Sequence, residues 1–139
     1  MRPNTELENM KIITKEEAKR CNPLALAFLG DAIYEVHVRQ KTVLNPAVAV
    51  KKLHTASVQK VRASYQAKGV AIIESILTEE EADIIRRGRN AHSQVPKSAT
   101  VSEYRLSTGL EALFGYLSLI GENARIEELF EIIYNEGRK

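Results

Sequence analysis

The sequence predicts an all-helical protein of one domain, and three observations carry that prediction. Thr14 with Glu17, and Thr78 with Glu81, repeat the capping-box spacing of a hydroxyl followed three residues later by a carboxylate. Asn22-Pro23 and Asn45-Pro46 each set an Asx cap before a proline, which suits the first helical turn because its missing N–H would have no partner there. Strand-like alternation is weak throughout, and no Asn-Gly or Asp-Gly hairpin signal occurs.

Residues 1–13 are polar and aperiodic and are expected to be flexible, leaving 14–139 as the folded domain. Thr14 opens a short helix that ends near Cys21. Asn22 caps a long helix reaching about Gln40, nearly all apolar between Leu24 and Ile33. Asn45-Pro46 opens a short helix through Lys52. The spacing of Val58, Val61 and Tyr65 suits an amphipathic helix from about Thr55 to Ala67, and Gly69 is expected to break or bend it before Val70–Leu77. Thr78 launches a helix to about Gly88, followed by an aperiodic loop over 89–101. Ser102 caps a long helix to Ile120, Gly121 stops it, and Asn123 caps a last helix over 124–135. No internal repeat or low-complexity tract interrupts this order.

The 139 residues suffice for one hydrophobic core and are short for two. Twenty Lys and Arg against 18 Asp and Glu leave a net charge of +2, too mild to specify nucleic-acid binding, so local clustering has to carry that argument. The single cysteine, Cys21, excludes an intramolecular disulfide and a multi-cysteine zinc site and suits a reducing cytosol. No stretch approaches the roughly 18 apolar residues of a membrane span, and Met1–Ile13 lacks a signal peptide's apolar region. A cytoplasmic protein without membrane attachment is expected.

Asp31 is the residue out of place. It interrupts an apolar helix, where aspartate is a weak helix former and costly if it faces protein. The second long apolar helix carries Glu111, aligned at helical spacing with Ser107, Thr108, Gly115 and Ser118 in a stripe of small or polar groups. Gly30 thins the first helix beside Asp31 in the same way, so the two helices can approach closely and bring the acids together. Two carboxylates held close repel unless one is protonated or a cation lies between them. Magnesium suits such a site, because it takes one or two carboxylates, keeps several waters and accepts phosphate oxygens. Exposed acids paired with arginines would give the same pattern, and spacing alone does not separate the two.

Arg86, Arg87 and Arg89 with Asn90 end one helix and enter the polar loop, forming a candidate phosphate-contacting edge. The helix dipole also favours cations at that end, so a structural origin stands beside it. Lys51, Lys52, Lys60 and Arg62 add positive charge on the preceding helices. His37, His54 and His92 lack metal-ligand spacing. Cys21 reads as inert, Glu35 as an i,i+4 partner of Arg39, and Tyr104 and Tyr116 as core or interface residues. The glycines form neither a P-loop nor a dinucleotide fingerprint. The apolar surround of Leu24–Ile33 fits either a helix buried against a second copy of the chain or the central helix of a bundle.

Phe28-Leu29-Gly30-Asp31-Ala32 resembles the signature helix of ribonuclease III, and Glu111-Ala112-Leu113-Phe114-Gly115 its second catalytic helix. Arg87-Gly88-Arg89-Asn90-Ala91, the Pro96-Lys97 loop and Tyr104-Arg105-Leu106-Ser107-Thr108 resemble the Mini-ribonuclease III branch. The resemblance runs from about Asn22 to Leu119. It implies a homodimeric, all-α ribonuclease III endonuclease domain, without an appended double-stranded-RNA-binding domain. The implied enzyme is a magnesium-dependent hydrolase of double-stranded RNA that matures the 23S ribosomal RNA precursor. Asp31 and Glu111 become the catalytic and magnesium-binding positions, and Arg86, Arg87, Arg89, Asn90 and Lys97 the RNA contacts. The larger enzymes carry acids where this sequence has Ala27 and Thr108, so two of four usual carboxylates remain. Two other readings stay open: a non-catalytic RNA-binding relative, and a helical interaction module with no role on RNA.

Overall fold

The computed structural model describes residues 12–91, 94 and 100–137. The flexible segment expected over 1–13 lies outside this range except for Ile12 and Ile13, as do His92, Pro96 and Lys97 in the loop. The described residues form an all-α structure with no strand. Its helices are α1 (Lys15–Lys19), α2 (Pro23–Leu44), α3 (Leu53–Val61), α4 (Ala63–Ile73), α5 (Glu79–Arg89), α6 (Val101–Leu119) and α7 (Asn123–Gly137). Single 3-10 turns at Val50–Lys52 and Glu74–Ile76 precede α3 and follow α4.

The local start signals act as expected at three helices. Thr14 and Thr78 close complete capping boxes with Glu17 and Glu81. The Asn22 side chain accepts from the Leu24 N–H at 2.8 Å, with Pro23 at the first position of α2. Gly121 ends α6 at φ 81°, and the Glu122 and Gly121 N–H groups return to Leu117 and Ser118 at 2.8 and 3.1 Å. That is a Schellman closure, and it requires a residue that tolerates the left-handed region.

Four expectations are corrected. The Asn45-Pro46 device closes a turn in which Asn45 accepts from the Ala47 N–H at 3.0 Å, and no helix begins until Val50. The break expected at Gly69 falls at Arg62 instead, whose φ −64° and ψ 148° separate α3 from α4. Gly69 lies inside α4, where a Cβ would meet Ile133 at 3.0 Å, so this glycine serves close helix packing. Thr100, not Ser102, caps α6, accepting from the Glu103 N–H at 3.1 Å. Asn123 is the first residue of α7 and stands within that helix.

α6 is the central element. Leu110, Ala112, Leu113, Phe114, Tyr116 and Leu117 are all buried on it, and α2, α4 and α5 pack around it. Each large apolar side chain removed from water contributes roughly 1.5–3 kcal/mol, so this helix anchors the core. Tyr34 of α2 sits between Phe114 and Phe130 of α7, with ring centroids 5.5 Å from each. The Arg125 guanidinium grips the buried Glu81 carboxylate with two 2.8 Å bonds and donates to the Ile76 carbonyl at 2.7 Å, tying α7 to the start of α5. α2 buries one stripe, Leu26, Ala27, Gly30, Tyr34, Val38 and Thr42, and leaves Phe28, Val36, Val43 and Leu44 exposed. The helix buried on nearly every side is therefore α6.

Candidate active site

The site begins where α2 crosses α6. A Cβ on Gly30 would fall 1.6 Å from the Glu111 carbonyl oxygen, and one on Gly115 would fall 2.0 Å from the Leu26 carbonyl oxygen. Only hydrogen fits at either place, so the two backbones touch. The residue after Gly30 is Asp31, and its carboxylate reaches the Glu111 side chain across the crossing. The expectation that small residues bring the two acids together is met.

Both acids line one cleft of about 710 Å³ between α2, α6 and the α3–α4 junction. Its walls include Ala27, Phe28, Arg62, Ser64, Gln66, Tyr104, Ser107 and Thr108. Asp31 is exposed in this cleft and Glu111 is half-buried. Glu111 therefore bears the cost of burial. Desolvation first, then the hydrogen bond and charge of Asp31, push its carboxyl up to about 8, opposed by a hydrogen bond from Gln66. Near neutral pH Glu111 holds a proton that a cation would displace.

The positions where the resemblance to ribonuclease III would place two further acids are filled by neutral groups. Ala27 is buried in the wall, and the Thr108 hydroxyl donates to the Tyr104 carbonyl at 3.0 Å. Ser107 donates to the same carbonyl at 2.7 Å. Among the described residues no three His, Cys, Asp or Glu side chains cluster as a closed metal cage. The cleft offers carboxylate, amide and hydroxyl oxygens without a cysteine or histidine. That donor set fits a hard, largely hydrated cation such as magnesium.

The basic edge lies next to this cleft, outside its lining. Gly88 presses α5 onto α6, where a Cβ would meet Gly109 and Ala112 at 2.9 Å. This carries Arg86, Arg87, Arg89 and the C-cap Asn90 to the flank of the helix that bears Glu111. Arg86 pairs with Asp83 one turn back. Glu35 pairs with Arg39 at 2.8 Å, and the His37 ring packs on Phe130 at 5.2 Å, as simple structural roles require. Tyr116 is a core residue, whereas Tyr104 lines the cleft.

Sequence reasoning missed Gln66 and Ser64 and placed Arg62 only among scattered charges. Gln66 had a legible signal, because it shares a buried face with Gly69, Val70 and Ile73. A helix break assigned to Gly69 scrambles that phase and hides the odd amide.

Residues 24–122 match the family model of the ribonuclease III domain. The chain is 46% identical over 127 residues to a Mini-ribonuclease 3 of Thermoanaerobacter sp. (strain X514), covering 91% of this chain and 89% of that one. It is 40% identical over 124 residues to a Mini-ribonuclease 3 of Clostridium tetani, covering 88% and 82%. The crystal structure of a Fusobacterium nucleatum protein superimposes with a TM-score of 0.77 at 32% identity, covering 84% of this chain and 94% of that one.

Proposed function

This chain belongs to the ribonuclease III family, among its Mini-ribonuclease 3 members, and on that premise we propose that Asp31 and Glu111 bind the divalent cation of a double-stranded-RNA endonuclease. The protein is an endoribonuclease that acts on double-stranded RNA in ribosomal RNA processing. Its proposed substrate is the 23S ribosomal RNA precursor and its proposed compartment is the cytoplasm. No described helix is long and apolar enough to cross a membrane.

The observation that carries the site assignment is the carboxylate pair itself: an exposed Asp31 beside a half-buried Glu111 whose carboxyl is pushed up to about 8. When bound, magnesium would activate water and stabilise charge on the phosphodiester being cleaved. Asp31 and Glu111 would hold the ion, and ion binding would displace the proton from Glu111. Arg62, exposed on the lip of the same cleft, supplies positive charge for a phosphate oxygen. Arg87, Arg89 and Asn90 would bind the duplex backbone from the flank, as A-form RNA presents phosphates and 2′-hydroxyls and hides its base edges in a deep groove. Lys97 is a proposed contact of the same kind, although it lies outside the described residues.

We also propose that two copies pair through α2. Phe28 is 85% exposed and Val36 is 52% exposed, a placement that a second copy would cover. Such a pair would present two cleavage sites to one duplex, one for each strand.

The test is incubation of long double-stranded RNA with and without magnesium, comparing the wild type with Asp31→Asn. Cleavage should need magnesium and fall by more than about 100-fold in the variant, beyond the loss typical of a ligand's outer partner. Full activity in Asp31→Asn would overturn the assignment. Duplex binding without cleavage by the wild type would favour the non-catalytic relative.

A further inference from the structure

Gln66 is 1% exposed, on the buried face of α4 and in the lining of the cleft that holds Glu111. An amide in that position is costly unless its groups are paired. Its two ends are treated differently. Arg62 interrupts the helix between α3 and α4, which frees the Val61 carbonyl from the helical ladder, and Gln66 Nε2 donates to that carbonyl at 3.3 Å. The same side chain lines the cleft beside the Glu111 carboxylate, close enough to counter the upward push of burial on that carboxyl. Gln66 Oε1 is buried without a partner. A methionine of equal length would fill the space and leave no orphan, so packing alone does not account for the amide.

We propose that Gln66 is a positioning residue for Glu111: its amide ties the carboxylate to the Val61 carbonyl at the α3–α4 break and holds it in the orientation that receives a divalent cation. This rests on the reading of Asp31 and Glu111 as the cation's ligands. A site with only two carboxylates has little else to order them. Ala27 has no polar group to offer, and the Thr108 hydroxyl is committed to Tyr104. Without the amide, Glu111 would lose rotamer freedom only when the cation arrives, and affinity would fall by that cost. The amide orders the side chain beforehand.

The experiment measures manganese binding to the full chain by the electron paramagnetic resonance of free Mn²⁺. It compares the wild type with Gln66→Met, Gln66→Asn, Asp31→Asn, Glu111→Gln and the Gln66→Met/Glu111→Gln double variant. Gln66→Met should weaken Mn²⁺ binding about 10- to 100-fold, the range typical of losing a ligand's outer partner. Its kcat should fall at low magnesium and recover at high magnesium, with KM for duplex RNA unchanged. A merely structural role would give no magnesium rescue. Gln66→Asn keeps an amide one methylene too short to span Val61 and Glu111 together, and should lose affinity in the same direction even if Gln66→Met fails to fold. In the Glu111→Gln background, Gln66→Met should have no further effect. Unchanged Mn²⁺ affinity in a folded Gln66 variant, or an equal loss with and without Glu111, overturns the positioning role. The carboxylate variants separate the two ideas: if Asp31→Asn binds Mn²⁺ like the wild type the two-carboxylate site is wrong, and if Asp31→Asn and Glu111→Gln both lose binding while the Gln66 variants keep it, only the role of Gln66 fails.

Discussion

Gly30 meets Glu111 backbone to backbone, so closely that a Cβ on residue 30 would lie 1.6 Å from the Glu111 carbonyl oxygen. The contact fixes the height at which α2 crosses α6, and Asp31 follows directly in sequence. Placement of the two acids is thus set by main-chain contact, which deforms far less than a pair of long side chains would.

Gly30→Ala should therefore be severe. Overpacking typically costs about 1–3 kcal/mol, and here the obstructing atoms are backbone, so a loss at or above the upper end is expected. Urea denaturation of the variant reads it directly. A stability equal to that of the wild type would contradict the close crossing of α2 and α6.

Cation binding should depend on pH through Glu111. Its carboxyl is raised from 4.5 to about 8, so the folded protein holds a proton that the unfolded chain releases between those values. That contribution to metal-free stability is complete below about 4.5 and disappears as pH rises through about 8. Magnesium needs the ionised form, so its affinity should climb by up to about tenfold per pH unit until about 8 and then level off. Calorimetry in buffers of different ionisation enthalpy should register a proton released on binding at pH 7. In Glu111→Gln the fall of the metal-free melting temperature between about pH 5 and 8 should be lost. Affinity that is flat from pH 6 to 8 would argue against Glu111 as a ligand.

Arg87→Ala and Arg89→Ala should each weaken duplex RNA binding without changing its sequence preference. Each should also lower the slope of log affinity against log salt by about 0.9 if it contacts one phosphate. Arg86→Ala should do less, because Arg86 already pairs with Asp83. Fluorescence anisotropy between 50 and 200 mM salt distinguishes these outcomes, and an unchanged slope in both stronger variants would remove this edge from the RNA surface.

Phe28→Asp should convert the proposed pair into a monomer of 15.6 kDa with an unaltered helical circular dichroism spectrum. Because Phe28 is 85% exposed in the single chain, the substitution disturbs no core packing. Sedimentation at micromolar concentration provides the reading, and a variant that remains dimeric would place the interface elsewhere.

Signals that act within one helical turn were legible in the sequence. Both capping boxes, the Asn22-Pro23 start and the Gly121 stop depend on atoms two to five residues apart. Glycine and proline are more ambiguous, because their local and tertiary uses look alike in a sequence. Gly69 reads as a breaker and is a packing residue against Ile133, whereas the break occurs at Arg62, which carries no breaker signature. Pro46 reads as a helix start and closes a turn. Thr100 and Ser102 are both competent caps, and the hydroxyl that reaches the Glu103 N–H is Thr100.

The sequence by itself determined the helical class, most of the element order and the two acids, because capping and hydrophobic spacing are local and an acid in an apolar helix is conspicuous. It also placed Gly30 and Gly115 beside those acids. Tertiary structure alone decided that Asp31 stays exposed while Glu111 is half-buried with its carboxyl pushed up to about 8. It also brought Gln66 to Glu111 from a helix 45 residues earlier in the chain. Desolvation, charge–charge repulsion and the pairing of a buried amide depend on which surfaces meet. Those surfaces meet only where α2, α4 and α6 cross.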